Sequence, residues 1–193
     1  MRSILQTNAF TPRRHSVPAA VPSSARSTYG GTSSRGQRLP ASIAGSTMLI
    51  VSLVVLDTNV LVSAIRSRRG ASFELLSRLG GGEFDIAVSV SLVLEYESVL
   101  LRHVPSSPMS EQDVHALVDY MCDVATWQEI FFLWRPYLRD SNDDLILELA
   151  VAAGCDAVVT HNVRDFDGAE RFGVKVMTPA VFLQKLRGVK WER

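Results

Sequence analysis

The chain has 193 residues, 20 basic and 20 acidic side chains, and a formal net charge of zero. That length suits one domain with a full core rather than two, and a neutral total supplies no overall attraction for a polyanion. The total hides an asymmetry: residues 1–47 carry six arginines and no acid, while the remaining 14 basic and 20 acidic residues leave the rest at −6. Any polyanion bound by the body must therefore be held by local basic clusters or by metal ions.

In chain order, residues 1–47 are rich in Ser, Pro, Gly, Ala and Arg and show no periodic apolar pattern, so they are expected to be a disordered extension. An Arg- and Ser-rich leader without acids also fits a transit peptide, but Pro12, Pro18, Pro22 and Pro40 interrupt any amphipathic helix. The preferred expectation is that Met48 is the true start, since a strand begins there and the folded domain runs over 48–193. The run MLIVSLVVL has the unbroken apolar character of a strand buried on both faces. It is too short to span a membrane, which takes about 20 residues. It ends at Asp57, after which Val60, Leu61, Ala64 and Ile65 follow a helical period. Asp57 thus falls at the carboxyl end of a strand, the edge where open α/β sheets bind ligands. It could equally be a plain helix cap.

The helix from Asn59 to about Leu79 is expected to break near Arg69 and Gly70 and to end at the three glycines 80–82. FDIAVS is a second strand. Helices follow over 91–103 and 110–125, the latter opened by Ser110 with Asp113 three residues on. IFFLW at 130–134 is a strand candidate. DDLILELAVAAG is a helix closed by Gly154, DAVVTHN a strand and loop, VKVMT a last strand, and PAVFLQKL a helix opened by Pro179. This alternation predicts a three-layer α/β/α sandwich about a mostly parallel sheet. Cys122 and Cys155 form no framework and no metal-ligand spacing, which points to small core residues in a reducing, cytoplasmic setting.

Further acids accompany Asp57. Glu95 shares a helix line with Leu92 and Val99, but Glu97 lies among Val93 and Leu101, and periodicity does not separate the two. Asp143 and Asp144 open a helix, where carboxylates meet free amides and the dipole; Asp143 lines up with Leu147 and Ala150, which marks it as the inward member. VVTHNVRDF is a second apolar strand ending in a polar loop, with Thr160, Asn162 and Asp165. Acids from two strand ends and two helices then share one edge, and their repulsion calls for hard divalent cations with oxygen ligands, Mg²⁺ or Mn²⁺. His103, His115 and His161 fall in different contexts, none beside a Ser or Cys nucleophile.

VVLDTNVLVSAI, LVLEYESVL, DDLILELAVAAGCDAVVT and THNVRDF, in this order and spacing, resemble PIN-domain ribonucleases, in particular the VapC-like toxins of toxin-antitoxin pairs, over roughly residues 49–187. The resemblance implies Asp57, Glu95, Asp143 and Asp165 as catalytic, metal-binding acids, with Thr58, Asn59, Thr160 and Asn162 as supporting polar positions. Many members have an acid where Asn162 stands, a departure that weakens a second metal site without abolishing the first. It further implies Mg²⁺- or Mn²⁺-dependent hydrolysis of RNA leaving a 5′-phosphate, a homodimer, and a cognate antitoxin as partner. Arg66, Arg68 and Arg69 form the strongest local basic cluster for RNA, with Arg102 and Arg164 as further candidates. An aspartate-nucleophile phosphatase would need a second acid where Asn59 stands, and a dinucleotide domain a glycine-rich first turn that DTNVL lacks. The remaining alternative is a degenerate PIN module that binds RNA or protein without cutting.

Overall fold

The computed structural model describes residues 52–130 and 137–188, all within one compact unit, Leu49–Arg193. Strands β1 (Ser52–Leu56), β2 (Phe84–Val88), β3 (Thr126–Trp127), β4 (Ala157–Val159) and β5 (Lys175–Met177) form a sheet in the order β3-β2-β1-β4-β5, and every pairing is parallel. Six α-helices among the described residues connect them: α1 (Thr58–Arg66), α2 (Ala71–Ser77), α3 (Val90–His103), α4 (Glu111–Val124), α5 (Ser141–Ala152) and α6 (Pro179–Leu186). This is the expected α/β/α architecture.

The central strands are mostly apolar because both faces are covered, with Ser52 at the start of β1 and an exposed Asp85 in β2 as the polar exceptions. Val54, Val55 and Leu56 of β1, Ile86, Ala87 and Val88 of β2, and all of β4 are buried. α5 lies against β1, β2 and β4, whereas α1, α2, α3 and α6 pack among themselves and α4 meets α3. The chain runs outward from β1 through β2 to β3, then returns past β1 to β4. With right-handed crossovers, that reversal sends α5 to the face opposite the helices of the first half. The point of reversal lies between β1 and β4, where Leu56 pairs with Val159. A crevice therefore opens at the carboxyl ends of these two strands.

Local chemistry sets the boundaries. The predicted break at Arg69 and Gly70 separates α1 from α2, with Gly70 at the N-cap of α2. Ser110 and Asp113 form a reciprocal capping box, the Ser110 side chain meeting the Asp113 amide and the Asp113 carboxylate the Ser110 amide. Gly154 takes φ 65° just beyond α5, and Pro179 opens α6 behind a Thr178 cap. Two expectations change. α5 starts at Ser141 under an Asp140 cap, so Asp143 and Asp144 lie within its first turn rather than opening it. β3 is Thr126–Trp127, both exposed; it forms by pairing Ala87 with Thr126 and Val88 with Trp127, with no apolar run to announce it. Of the strand expected at 130–134, residues 131–134 lie outside the described ones, as do residues 48–51 of the first strand and the extension before them. Cys155 is buried and Cys122 half-buried, and both are free thiols. No described helix is long and apolar enough to cross a membrane.

Candidate active site at the sheet edge

The residue after β1 is Asp57, only 6% exposed and bonded through its amide to the Val159 carbonyl of β4 (2.9 Å). Its carboxylate does more than cap a helix. Oδ1 accepts from the Asn59 amide at 3.2 Å, which is the cap of α1. Oδ2 accepts from the Asn59 side-chain amide at 2.6 Å and from the Thr160 hydroxyl at 2.6 Å. The hydrogen-bond accounting closes around Thr160: its one proton goes to Asp57, and its lone pairs receive Asn59 Nδ2 (3.1 Å) and the Asn162 amide (2.9 Å). Asn59 Oδ1 in turn accepts from the His161 amide at 3.1 Å. The expected polar positions Thr160, Asn59 and Asn162 thus lock the ends of β1 and β4 together, Asn162 through its backbone.

Thr58 reaches elsewhere. Its hydroxyl donates to Glu95 Oε1 on α3 at 2.9 Å, which places that half-buried glutamate at the same edge. Glu97 faces α4, where His115 Nδ1 lies 2.9 Å from its Oε1. That contact separates the two glutamates as periodicity could not. Beneath the cluster, Tyr96 donates its hydroxyl to the Leu56 carbonyl. Burial pushes the Tyr96 phenol well above its usual range, helped by the charges of Asp57 and Glu95, so it remains a donor.

The first turn of α5 divides its two acids. Asp144, 2% exposed, is the buried one, contrary to the expectation that Asp143 would be inward. Its carboxylate accepts the Leu138 amide at 2.7 Å and the Tyr137 amide at 3.3 Å, anchoring the segment before the helix. Asp143 is half-buried and faces the edge cluster. Burial, then the charges of Asp57, Asp140, Asp165 and Asp144, push its carboxyl up to about 7. Burial also raises the Asp57 carboxyl, against the pull of the Thr160 hydroxyl and the Asn59 amide, and Asp165 adds to the rise. Asp165 is exposed, in the short 3₁₀ turn Val163–Phe166 after β4. Asp57, Asp143 and Asp165 therefore feel one another's charge across the β1/β4 crevice.

Among the described residues, no three His, Cys, Asp or Glu side chains are close enough to hold an ion between them as they stand. The donor chemistry nonetheless fits a hard divalent cation, since the set is all oxygen and its carboxylates disfavour one another's ionisation.

Of the basic candidates, Arg66 ends α1 and Arg68 and Arg69 follow it, all three exposed, and nine helical residues carry Arg66 about 13 Å from Asp57. Arg68 lies near Asp113 instead. Arg102 is exposed on α3, its Nε bonded to the Ser98 carbonyl (3.3 Å). Arg164 is next to Asp165. One reading of the histidines changes: His161 Nε2 lies 2.9 Å from Ser72 Oγ, joining residues 89 apart that sequence order could not bring together. Ser72 is 1% exposed, so this contact ties α2 to the loop after β4 and offers no accessible nucleophile. Tyr96 and Tyr137 carry no sequence signal, and Asp144 reads in the sequence only as a helix-opening acid beside Asp143.

A family model described as PIN domain matches residues 53–164, more than half of the chain. The chain belongs to the PIN domain family. PIN domains are generally nucleases that use divalent metals, which agrees with an oxygen-only acidic crevice at the switch point of a parallel sheet. The match spans Asp57, Glu95, Asp143 and Thr160 of this PIN domain and stops one residue before Asp165. No curated protein matches the chain.

Proposed function

We propose that this PIN domain is a Mg²⁺- or Mn²⁺-dependent endoribonuclease whose acids are Asp57, Glu95, Asp143 and Asp165, and that it serves as the cytoplasmic toxin of a toxin-antitoxin pair. The observation that carries the catalytic reading is the placement of Asp57 after β1, Asp165 in the turn after β4, Asp143 in the first turn of α5 and Glu95 on the Thr58 hydroxyl, all at one edge of the sheet. Asp57 and Asp143 would hold the metal, with Asp165 and Glu95 completing its surroundings. When bound, such an ion supplies an activated water and neutralises charge on the phosphodiester.

The chain's own residues do the rest. Thr160 and Asn59 fix the Asp57 carboxylate, and Thr58 orients Glu95. With its carboxyl pushed up to about 7, Asp143 holds a proton through much of the neutral range, which a cation held there would displace. The toxin role, the homodimer and the antitoxin partner rest on the resemblance to VapC-like toxins.

The test is incubation of purified protein with single-stranded RNA, with Mg²⁺ or Mn²⁺ or with excess EDTA. Metal-dependent cleavage leaving 5′-phosphate ends is expected. Undiminished cleavage in EDTA refutes the metal site, while RNA binding without cleavage under any metal favours the non-catalytic module.

A further inference from the structure

Beside Asp165 the surface opens into a cleft of about 620 Å³, bordered by Tyr137, Arg139, Val163, Arg164 and Asp167. We propose that it is a subsite for one nucleotide of single-stranded RNA, with the base stacked on Tyr137 and its phosphate met by Arg139 and Arg164. The inference rests on the reading of the adjoining acidic crevice as the RNA-cutting centre, because Asp165 belongs to both.

Three features equip the cleft for this. Tyr137 is 39% exposed and is braced by Phe172, itself 36% exposed, in an edge-to-face contact (centroids 5.0 Å, 78°). Its hydroxyl lies across Gly168, 3.4 Å from that residue's carbonyl, and a Cβ there would come within 2.7 Å of the hydroxyl and shift the tip of the ring. The buried Asp144 carboxylate holds the Tyr137 and Leu138 amides, so ring and Arg139 project from an anchored backbone. A held, partly exposed aromatic ring is the platform on which unpaired bases stack without regard to sequence. Asp165 and Asp167 balance the two arginines, so the pull on a phosphate is local and the ring carries most of the affinity. The volume lies within the ~300–1,000 Å³ typical of small-molecule sites.

The experiment is fluorescence anisotropy of a short labelled oligoadenylate in EDTA at low salt, alongside an abasic strand of equal length. Tyr137→Ala is expected to weaken oligoadenylate binding about 5- to 150-fold, the range for one stacked base. It should leave the abasic strand unaffected, and Tyr137→Phe should bind like the parent. Arg139→Gln should weaken both strands and lower the slope of log affinity against log salt by about 0.7, one phosphate contact on a single strand. Equal binding of oligoadenylate by Tyr137→Ala and parent overturns the proposal, as does an equal loss on both strands or no RNA binding by the parent. If the Tyr137 effect is present but no metal supports cleavage, the cutting reading fails and the subsite stands. Cleavage without the Tyr137 effect gives the reverse.

Discussion

Asp143 is the most informative single residue, because its environment opposes its charge. With a carboxyl at about 7 in the folded chain against an ordinary value of 3.8, the folded state keeps a proton over this interval that the unfolded chain has released. Stability of the metal-free protein from this group is therefore present at acid pH and lost as pH rises towards 7. Urea melts in EDTA should show Asp143→Asn gaining on the parent between about pH 4 and pH 8, and a constant difference would refute the coupling. Thr160 is instead satisfied, its buried hydroxyl donating to Asp57 and accepting from Asn59 and Asn162. Thr160→Val removes the hydroxyl at nearly constant volume and should cost about 1–3 kcal/mol and most of the activity, while Thr160→Ser should retain both. Paired melts and cleavage rates decide this. Asp57 and Thr160 were legible in the sequence because each ends an apolar strand. The assignment of Asp144 was not: helical periodicity ranks faces, but the amides of Tyr137 and Leu138 that draw this carboxylate inward come from an irregular segment.

Elements followed the sequence where local chemistry decides them. The unbroken apolar runs of β1 and β4, the Ser110–Asp113 box and the Pro179 start all depend on near neighbours. β3 depends on its partner, since two exposed residues become a strand only by docking on β2. The contact of His161 with Ser72 likewise needed the fold to join β4 to α2. Besides the Asp140 cap, the entry to α5 is held by the Asp144 carboxylate. Asp144→Ala leaves the Tyr137 and Leu138 amides without their acceptor and should destabilise the protein by about 1–3 kcal/mol, with faster amide exchange at Leu138. Unchanged stability would show that water or another acceptor replaces the carboxylate.

At the scale of the whole molecule, the described core belongs to the unit Leu49–Arg193, while residues 1–47 carry six arginines and no periodic apolar pattern in their sequence. A chain beginning at Met48 is accordingly expected to melt at the same temperature as the full one, and a fall of several degrees would show that the first 47 residues contribute to the core. Burial and then neighbouring carboxylates raise the proton affinity of Asp57 and Asp143, and the same negative charge favours a cation. Legible from sequence were the fold class and the strand-end position of Asp57; which glutamate of α3 meets Thr58 and how far apart the acids stand were not, because both are set by tertiary packing. The most direct test is Mn²⁺ binding to metal-free protein, followed by the paramagnetic signal of the free ion, for the parent and Asp143→Asn at about pH 8 and pH 6. The parent should take up Mn²⁺ saturably, more weakly at the lower pH as Asp143 regains its proton, and Asp143→Asn should lose most of that binding. Equal, pH-independent uptake by both proteins would contradict the assignment of the edge carboxylates as the metal site.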